Sequence, residues 1–170
     1  MLLILCGLPG TGKSSLSKKL ATKFKATHLN SDVIRKELFK ERTYSEEEKE
    51  QVYAKLFELA ELELIKENNV ILDGTFYRDF YRKKIVSLAK KLKILFYFIE
   101  CTLPSSVVRE RIFARKNNAS EADFKVYQKL KRDFEPVRQI HLSLDMSQNF
   151  KDQFEKIQEF IAKTQKQKLI

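Results

Sequence analysis

Tryptophan is absent from this 170-residue chain, and histidine, cysteine and methionine each occur only twice. Long apolar runs are missing too: none approaches the roughly 18 residues that a membrane-spanning helix needs, so no membrane partner is expected. The first apolar stretch, Leu2 to Cys6, is too short for a secretory leader, and the expected location is therefore the cytoplasm. Cys6 and Cys101 each end a predicted strand, at a separation that suits neither a zinc site nor a disulfide framework, and both read as buried free thiols. His28 and His141 stand alone at strand positions and are assigned no chemistry. No internal repeat or low-complexity segment is evident. What remains is a globular composition, 43% hydrophobic and 33% charged, and a length that suits one domain over residues 1–170, large enough to bury about 70% of its unfolded surface. The net charge of +10 favours anionic partners without separating nucleic acid from small phosphorylated ligands. Part of it is solvated lysine on helix surfaces, including Lys163, Lys166 and Lys168.

Glycine is also scarce, with four in the chain, yet three of them fall within Gly7-Leu8-Pro9-Gly10-Thr11-Gly12-Lys13-Ser14. That stretch follows a short apolar strand and leads into a helical pattern, which is the order a phosphate-binding P-loop requires. Glycines allow backbone N–H groups to turn inward and approach phosphate oxygens closely. Lys13 would reach the β- and γ-phosphates, and Ser14 would offer its hydroxyl to magnesium. The start of the following helix points its positive end at the same anion. The expected nucleotide-binding residues are Gly7, Leu8, Pro9, Gly10, Thr11, Gly12, Lys13, Ser14 and Ser15, with Arg111 and Arg115 from a later segment.

Along the chain, strands and helices alternate. The predicted strands are Leu2 to Cys6, Ala26 to Leu29, Val70 to Asp73, Lys93 to Cys101 and His141 to Leu144. Between and after them come predicted helices over Ser15 to Phe24, Val33 to Lys40, Glu46 to Asn68, Tyr77 to Lys91, Pro104 to Arg115, Glu121 to Phe134 and Gln148 to Lys163. In the Glu46 helix, Tyr53, Leu56, Phe57, Ala60 and Leu64 form one stripe at helical spacing. Such alternation implies βαβ units, a parallel sheet covered on both faces, and ligands at the carboxyl ends of the strands.

Candidate chemistry gathers at those ends. Asp32 and Arg35 follow the second strand, three apart on the first turn of a helix, and so can face one cleft. A kinase acting on an alcohol needs a carboxylate to accept the hydroxyl proton and cations to neutralise the transferring group. Asp32 can supply the first, or simply cap its helix; Arg35 can hold the acceptor. Asp73, ending the third strand, can hold magnesium through water or orient Arg35, with the second role slightly preferred. Asp73-Gly74-Thr75 superficially suggests an aspartate-nucleophile phosphatase, but the nucleophile position is Ile71, which excludes that chemistry. Arg111 and Arg115, four apart, share a helix face and could close over the phosphates, with Arg109 beside them. Phe39, Tyr44, Phe76, Tyr77, Phe80 and Tyr81 fall near the acceptor side, where most are read as packing rather than base-stacking residues.

With these residues in view, the chain resembles the polynucleotide 5′-hydroxyl kinases of the bacteriophage and repair type, and the wider group of bacterial and archaeal predicted P-loop kinases. Gluconate kinases, zeta-toxin kinases and chloramphenicol phosphotransferases are more distant relatives. The resemblance runs from Leu2 to Pro136. It rests on the P-loop, on Leu29-Asn30-Ser31-Asp32-Val33-Ile34-Arg35, on Val70 to Thr75 followed by Arg82, on Arg111 and Arg115, and on Ser120-Glu121-Ala122-Asp123 and Phe134-Glu135-Pro136. It implies an α/β P-loop NTPase fold with a five-stranded parallel sheet in the order 2-3-1-4-5, flanked by helices, and a helical lid at about residues 109–123. Asp32 would be the general base, Arg35 the contact to the acceptor's phosphate, and Asp73 the support of Arg35. Lys13, Asp32, Arg35 and Arg115 are the implied catalytic set; Asp32, Arg35, Asp73 and Thr75 line the acceptor side. ATP, or GTP or another nucleoside triphosphate, with Mg2+ held by Ser14 and through water by Asp32 or Asp73, completes the site. The phage enzyme's appended phosphatase domain has no counterpart here, and Phe39 to Glu63, where acceptor specificity is usually built, matches no readable pattern.

Three functions follow in order. The first is an ATP- and magnesium-dependent kinase for the 5′-OH of a polynucleotide or nucleoside-like acceptor, the surplus of positive charge leaning toward the polymer. The second is a kinase for a small metabolite such as a sugar acid or an antibiotic. The third is a nucleotide-dependent ATPase or switch. Protein partners are not legible.

Overall fold

In the computed structural model, which describes residues 1–114 and 124–167, the apolar run Leu2–Cys6 forms the central strand, β1. All five side chains are fully buried, as a strand covered on both faces demands. Alternation divides them: Leu2, Ile4 and Cys6 join one apolar cluster, Leu3 and Leu5 the other. The same parity continues in the neighbouring strands, β3 (Asn69–Asp73) and β4 (Phe96–Thr102), so that Val70, Leu72 and Phe98 face one way and Ile71, Tyr97 and Ile99 the other. With β2 (Ala26–Asn30) and β5 (His141–Asp145), these make a wholly parallel five-stranded sheet in the order β2-β3-β1-β4-β5.

Two layers of helices cover it. Leu16 and Leu20 of α1 (Lys13–Phe24) and Ile157 of α7 (Phe150–Gln167) pack on the face bearing Leu3 and Leu5. On the other face lie Ile34 of α2 (Ser31–Leu38), the stripe Val52, Tyr53, Leu56, Ala60 and Leu64 of α3 (Glu46–Ile65), and Tyr81, Ile85 and Ala89 of α4 (Asp79–Lys91). Helices α5 (Ser105–Phe113) and α6 (Phe124–Asp133) follow β4. The chain leaves β1 for β2 on one side of the sheet and later reaches β4 on the other. The order therefore reverses beside β1, and the crevice at the carboxyl ends of β1 and β3 is the switch point where such sheets bind ligands.

Most predicted elements lie where the pattern put them; their ends moved for local reasons. The α3 helix stops at Ile65 rather than Asn68 because Glu67 turns left-handed (φ 64°) and the N–H groups of Glu67 and Asn68 close back onto Leu64 and Glu63. Strand β4 begins at Phe96 rather than Lys93 because Lys93 (φ 54°) is spent in the same kind of turn after α4, where Ile94 N donates to Ala89 O at 2.8 Å. Asn30, not Asp32, caps α2: its side-chain oxygen accepts from Asp32 N and Val33 N, both at 2.9 Å. Arg115, the last residue of one predicted helix, lies outside the described residues, as do Ser120 to Asp123.

Arg82 explains why Phe134-Glu135-Pro136 belongs with the third strand. The side chain is wholly buried in α4, and its guanidinium donates to the carbonyls of Phe76 (2.7 Å), Glu135 and Pro136 (both 2.9 Å). Glu135 N in turn donates to Tyr77 O at 2.8 Å, and Glu135 accepts from Asp79 N at 2.5 Å. The chain leaving α6 is thereby fastened to the loop after β3. Replacing Arg82 by Ala leaves three carbonyls without donors, and we expect a loss of about 3 kcal/mol of unfolding free energy, measured by urea denaturation; a loss under about 0.5 kcal/mol, the ordinary range of a surface substitution, would show that water replaces the clamp.

Candidate functional site

The loop from Gly7 to Gly12 leaves the carboxyl end of β1 and wraps into α1. Gly7 has φ 132°, and a Cβ there would stand 2.5 Å from the carbonyl oxygen of Cys101, so no side chain fits. Gly10, at φ 86°, is closed in the same way by Val108, 2.7 Å from an added Cβ. The result is a backbone cradle at the N-terminus of a 12-residue helix, with N–H groups and helix dipole aimed at one place. Lys13 is buried and donates to Leu8 O at 2.9 Å, folded over the loop beside the Thr11 hydroxyl, which donates to the same carbonyl at 3.0 Å. Arg111 of α5 reaches the loop from the other side, donating to Thr11 O (3.3 Å) and Met146 O (3.4 Å). Of the two arginines expected at the phosphates, Arg111 thus lies against the P-loop; Arg115 falls outside the described residues.

Next to the loop, the ends of β2 and β3 meet side by side. Asn30 pairs with Asp73 in the sheet register, and its amide donates to Asp73 at 2.5 Å and to the Ser14 hydroxyl at 3.3 Å. His28 Nε2 stands 3.2 Å from the same carboxylate. Burial pushes the Asp73 carboxyl up, but the hydrogen bonds of His28, Ser14 and Asn30 and the charge of Lys13 outweigh it, leaving the group below the usual carboxylate range. The expectation that Asp73 supports Arg35 is corrected: Asp73 bonds to Asn30, His28 and Ser14, while the guanidinium of Arg35 pairs with Glu48 on α3. Parallel strands bring Asp73 beside β2's own last residue, whereas Arg35 sits a full helical turn farther along α2.

From Ser14 and Asp73 a cleft of about 400 Å³ runs past Asp32 and Arg35. Thr75, Tyr44, Tyr53 and Tyr77 line it, together with Lys49 of α3 and Lys129 of α6. The P-loop contributes Pro9, Gly10, Gly12, Lys13, Ser14 and Ser15 to the same wall. Among the aromatic residues singled out earlier, Phe76, Tyr77 and Tyr81 are buried and Phe80 is half exposed; Tyr44 and Tyr77 border the cleft. Asn30, Glu48, Lys49 and Lys129 were not singled out as functional. Asn30 was legible in part, because a residue ending one parallel strand must neighbour the residue ending the next. The lysines and Glu48 carry no motif, since on α3 and α6 they read as ordinary helix-face charges.

These residues fit a nucleotide with magnesium. Such an ion needs one or two oxygen ligands from the protein beside phosphate oxygens and water, and the Ser14 hydroxyl with the Asp73 carboxylate, adjoining a loop whose Gly7 and Gly10 leave no room for a side chain, supplies that set. No cluster of three or more metal-ligating carboxylates, histidines and cysteines occurs among the described residues. No helix among them is long and apolar enough to cross a membrane.

Residues 2–137 match the model of a family described as AAA domain. Solved structures with the same fold include a gluconokinase from Sinorhizobium meliloti, 16% identical over 95% of this chain and 91% of that one, with a TM-score of 0.73. Others are Kti12 of Chaetomium thermophilum in complex with ADP-AlF3 (17% identity, 95% and 99% coverage, TM-score 0.75) and the APS kinase CysC of Mycobacterium tuberculosis in complex with AMPPNP and APS (16% identity, 95% and 96% coverage, TM-score 0.73).

The depressed Asp73 carboxyl has a consequence in acid. A group whose native pKa lies below its ordinary 3.8 stabilises the fold at higher pH and loses that contribution as pH falls through the native value. Stability followed by urea denaturation should therefore fall more steeply below about pH 4 in the wild type than in Asp73→Asn; parallel slopes would mean that the carboxylate gains nothing from its three partners.

Proposed function

This chain belongs to the AAA domain family, and from that premise we propose that it is an ATP- and magnesium-dependent kinase phosphorylating a hydroxyl, foremost the 5′-OH of a polynucleotide or nucleoside-like acceptor. The observation that carries the reading is the continuous cleft joining the P-loop, with Lys13 and Ser14, to the pair Asp32 and Arg35 on the first turns of α2. Phosphoryl transfer asks little covalent chemistry of a protein; it asks for in-line positioning and for charge where charge develops.

Each role has a candidate. The cradle from Gly7 to Ser15 holds the phosphate chain by backbone N–H groups. Lys13 exchanges its Leu8 carbonyl for phosphate oxygens, and Arg111, with Arg115, neutralises the transferring group. Asp32, which leaves the capping of α2 to Asn30, takes the proton from the attacking hydroxyl. Arg35 holds the acceptor in line, with Thr75 beside it, while Tyr44 and Tyr77 offer ring surface to a base or sugar. Magnesium bound with the nucleotide, at Ser14 and through Asp73 or Asp32, supplies charge neutralisation at the β- and γ-phosphates. Two lysines at the acceptor end, Lys49 and Lys129, suit a partner that brings further negative charge.

A metabolite acceptor is the second reading. It is favoured by the closure of the cleft along one side by Val126, Lys129 and Leu130 of α6, which suits a small molecule better than a polymer end. A cytoplasmic location accompanies both readings.

Transfer of label from γ-labelled ATP to 5′-hydroxyl DNA and RNA oligonucleotides tests the proposal. Labelled oligonucleotide should form with the wild type, and Asp32→Asn should lower kcat by about 10²- to 10⁴-fold, the usual worth of a positioned base, with KM for ATP little changed. Absence of labelled oligonucleotide despite intact ATP binding would shift the acceptor to nucleosides, sugar acids or antibiotics. Phosphate release at one rate with and without any acceptor would replace the kinase by an ATPase.

A further inference from the structure

Glu48 lies at the fourth position of Ser45-Glu46-Glu47-Glu48, an arrangement that by itself predicts a helix capping box. Half of that box is present: the Ser45 hydroxyl accepts from Glu48 N at 3.2 Å. In the usual box the glutamate reaches back to the cap's own N–H. Here Ser45 N is served by the Thr43 hydroxyl at 3.4 Å, and the Glu48 carboxylate is directed elsewhere. One oxygen, Oε2, accepts from Thr43 N (2.6 Å), Thr43 Oγ1 (2.9 Å) and Tyr44 N (2.9 Å). The other accepts from Nη1 of Arg35. Both side chains of the pair are more than nine-tenths buried.

The consequence falls on the geometry of Arg35. With Nη1 taken by Glu48, the guanidinium plane lies under the Tyr44 ring, 4.7 Å from its centroid, and Tyr44 is held there by the same carboxylate through its backbone, in a left-handed conformation (φ 56°). What remains is the edge formed by Nε and Nη2. Nε is buried and has no hydrogen-bond partner, an unusual condition for so polar a group, in a side chain that lines the cleft. An arginine edge of that kind matches two oxygens of a phosphate or carboxylate.

We propose that Glu48 is the positioning residue of the acceptor site: it fixes one end of the Arg35 guanidinium and the Tyr44 turn above it, so that the Nε–Nη2 edge is presented to an anionic group carried by the acceptor. This rests on the reading of the cleft as an acceptor site. The carboxylate costs the site part of its positive charge, and in return removes the rotamer freedom that a lone arginine would surrender on each binding event. Hydrogen bonds from Arg35, Thr43 and Tyr44 hold the Glu48 carboxyl below its ordinary pKa against the upward push of burial, so it faces Arg35 as an anion.

Two measurements on the full chain test this. In the label-transfer assay with a 5′-hydroxyl oligonucleotide bearing a 3′-phosphate next to the acceptor sugar, Glu48→Gln should raise the acceptor KM about tenfold or more while leaving the KM for ATP within about twofold, since it acts on binding shared by ground and transition states. In an Arg35→Met background the same change should add less than about twofold, because a positioning residue acts through its partner. Equal KM increases in both backgrounds would overturn the proposal in favour of a purely structural capping role. The second readout needs no activity. In ¹⁵N spectra of the unliganded protein, the Nε–H of Arg35, assigned by its loss in Arg35→Lys, should exchange slowly with water in the wild type and quickly in Glu48→Gln; unchanged exchange would also overturn it. A wild type that transfers no label to the oligonucleotide removes the polynucleotide acceptor alone, and the spectra then decide whether Glu48 presets Arg35.

Discussion

One amide holds the site together. Asn30 ends β2, and its side chain uses both of its functions: the oxygen caps α2, while the nitrogen spans Asp73 at the end of β3 and Ser14 at the start of α1. Three elements that approach from different layers are thereby set against one another within a few ångströms. Because the sheet is parallel and its register pairs Asn30 with Asp73, the contact needs no loop to find its partner. Asp32 and Arg35 inherit their direction from the helix that Asn30 starts, and the loop from Gly7 to Gly12 inherits its neighbour in the cleft.

Charge in the cleft is arranged by depth. Nearest the P-loop, Lys13 is opposed by Asp73, itself tied down by three hydrogen-bonding side chains. Farther along, Arg35 is opposed by Glu48, and Lys49 by Glu46 at 2.7 Å. These three inward cations are thus each accompanied by a carboxylate, which is how buried charges are tolerated in a low-dielectric wall. Without these carboxylates the cleft would attract any anion strongly; with them, cations present particular edges to a ligand, and geometry takes over from net charge.

The interplay of α6 with this arrangement is set by Arg82. By gathering the carbonyls of Phe76, Glu135 and Pro136 it joins the loop that carries Tyr77 to the segment leaving α6, the helix that bears Lys129, and so ties together two parts of the cleft lining. In sequence these are three scattered fragments, and their common dependence on one guanidinium is visible only when the chain is folded.

Fold class and phosphate site were legible because they depend on local order: an apolar strand, a run of glycines and a helix must follow one another for backbone N–H groups to converge, and alternation of strands with helices leaves little besides a parallel sheet. The position of Asp32 and Arg35 on one helix face followed from the 3.6-residue repeat alone. The partners of those residues did not. Asp73 was expected to hold magnesium through water or to orient Arg35, the second slightly preferred, yet strand pairing gave Asp73 to Asn30 and His28, and α3, whose approach depends on the packing of Val52, Leu56 and Ala60 against the sheet, delivered Glu48 to Arg35. What the chain determined by itself was the order of its elements and which residues share a helix face; what only the tertiary structure decided was which charges meet across elements, because that depends on the depth and angle at which separate helices settle on one sheet.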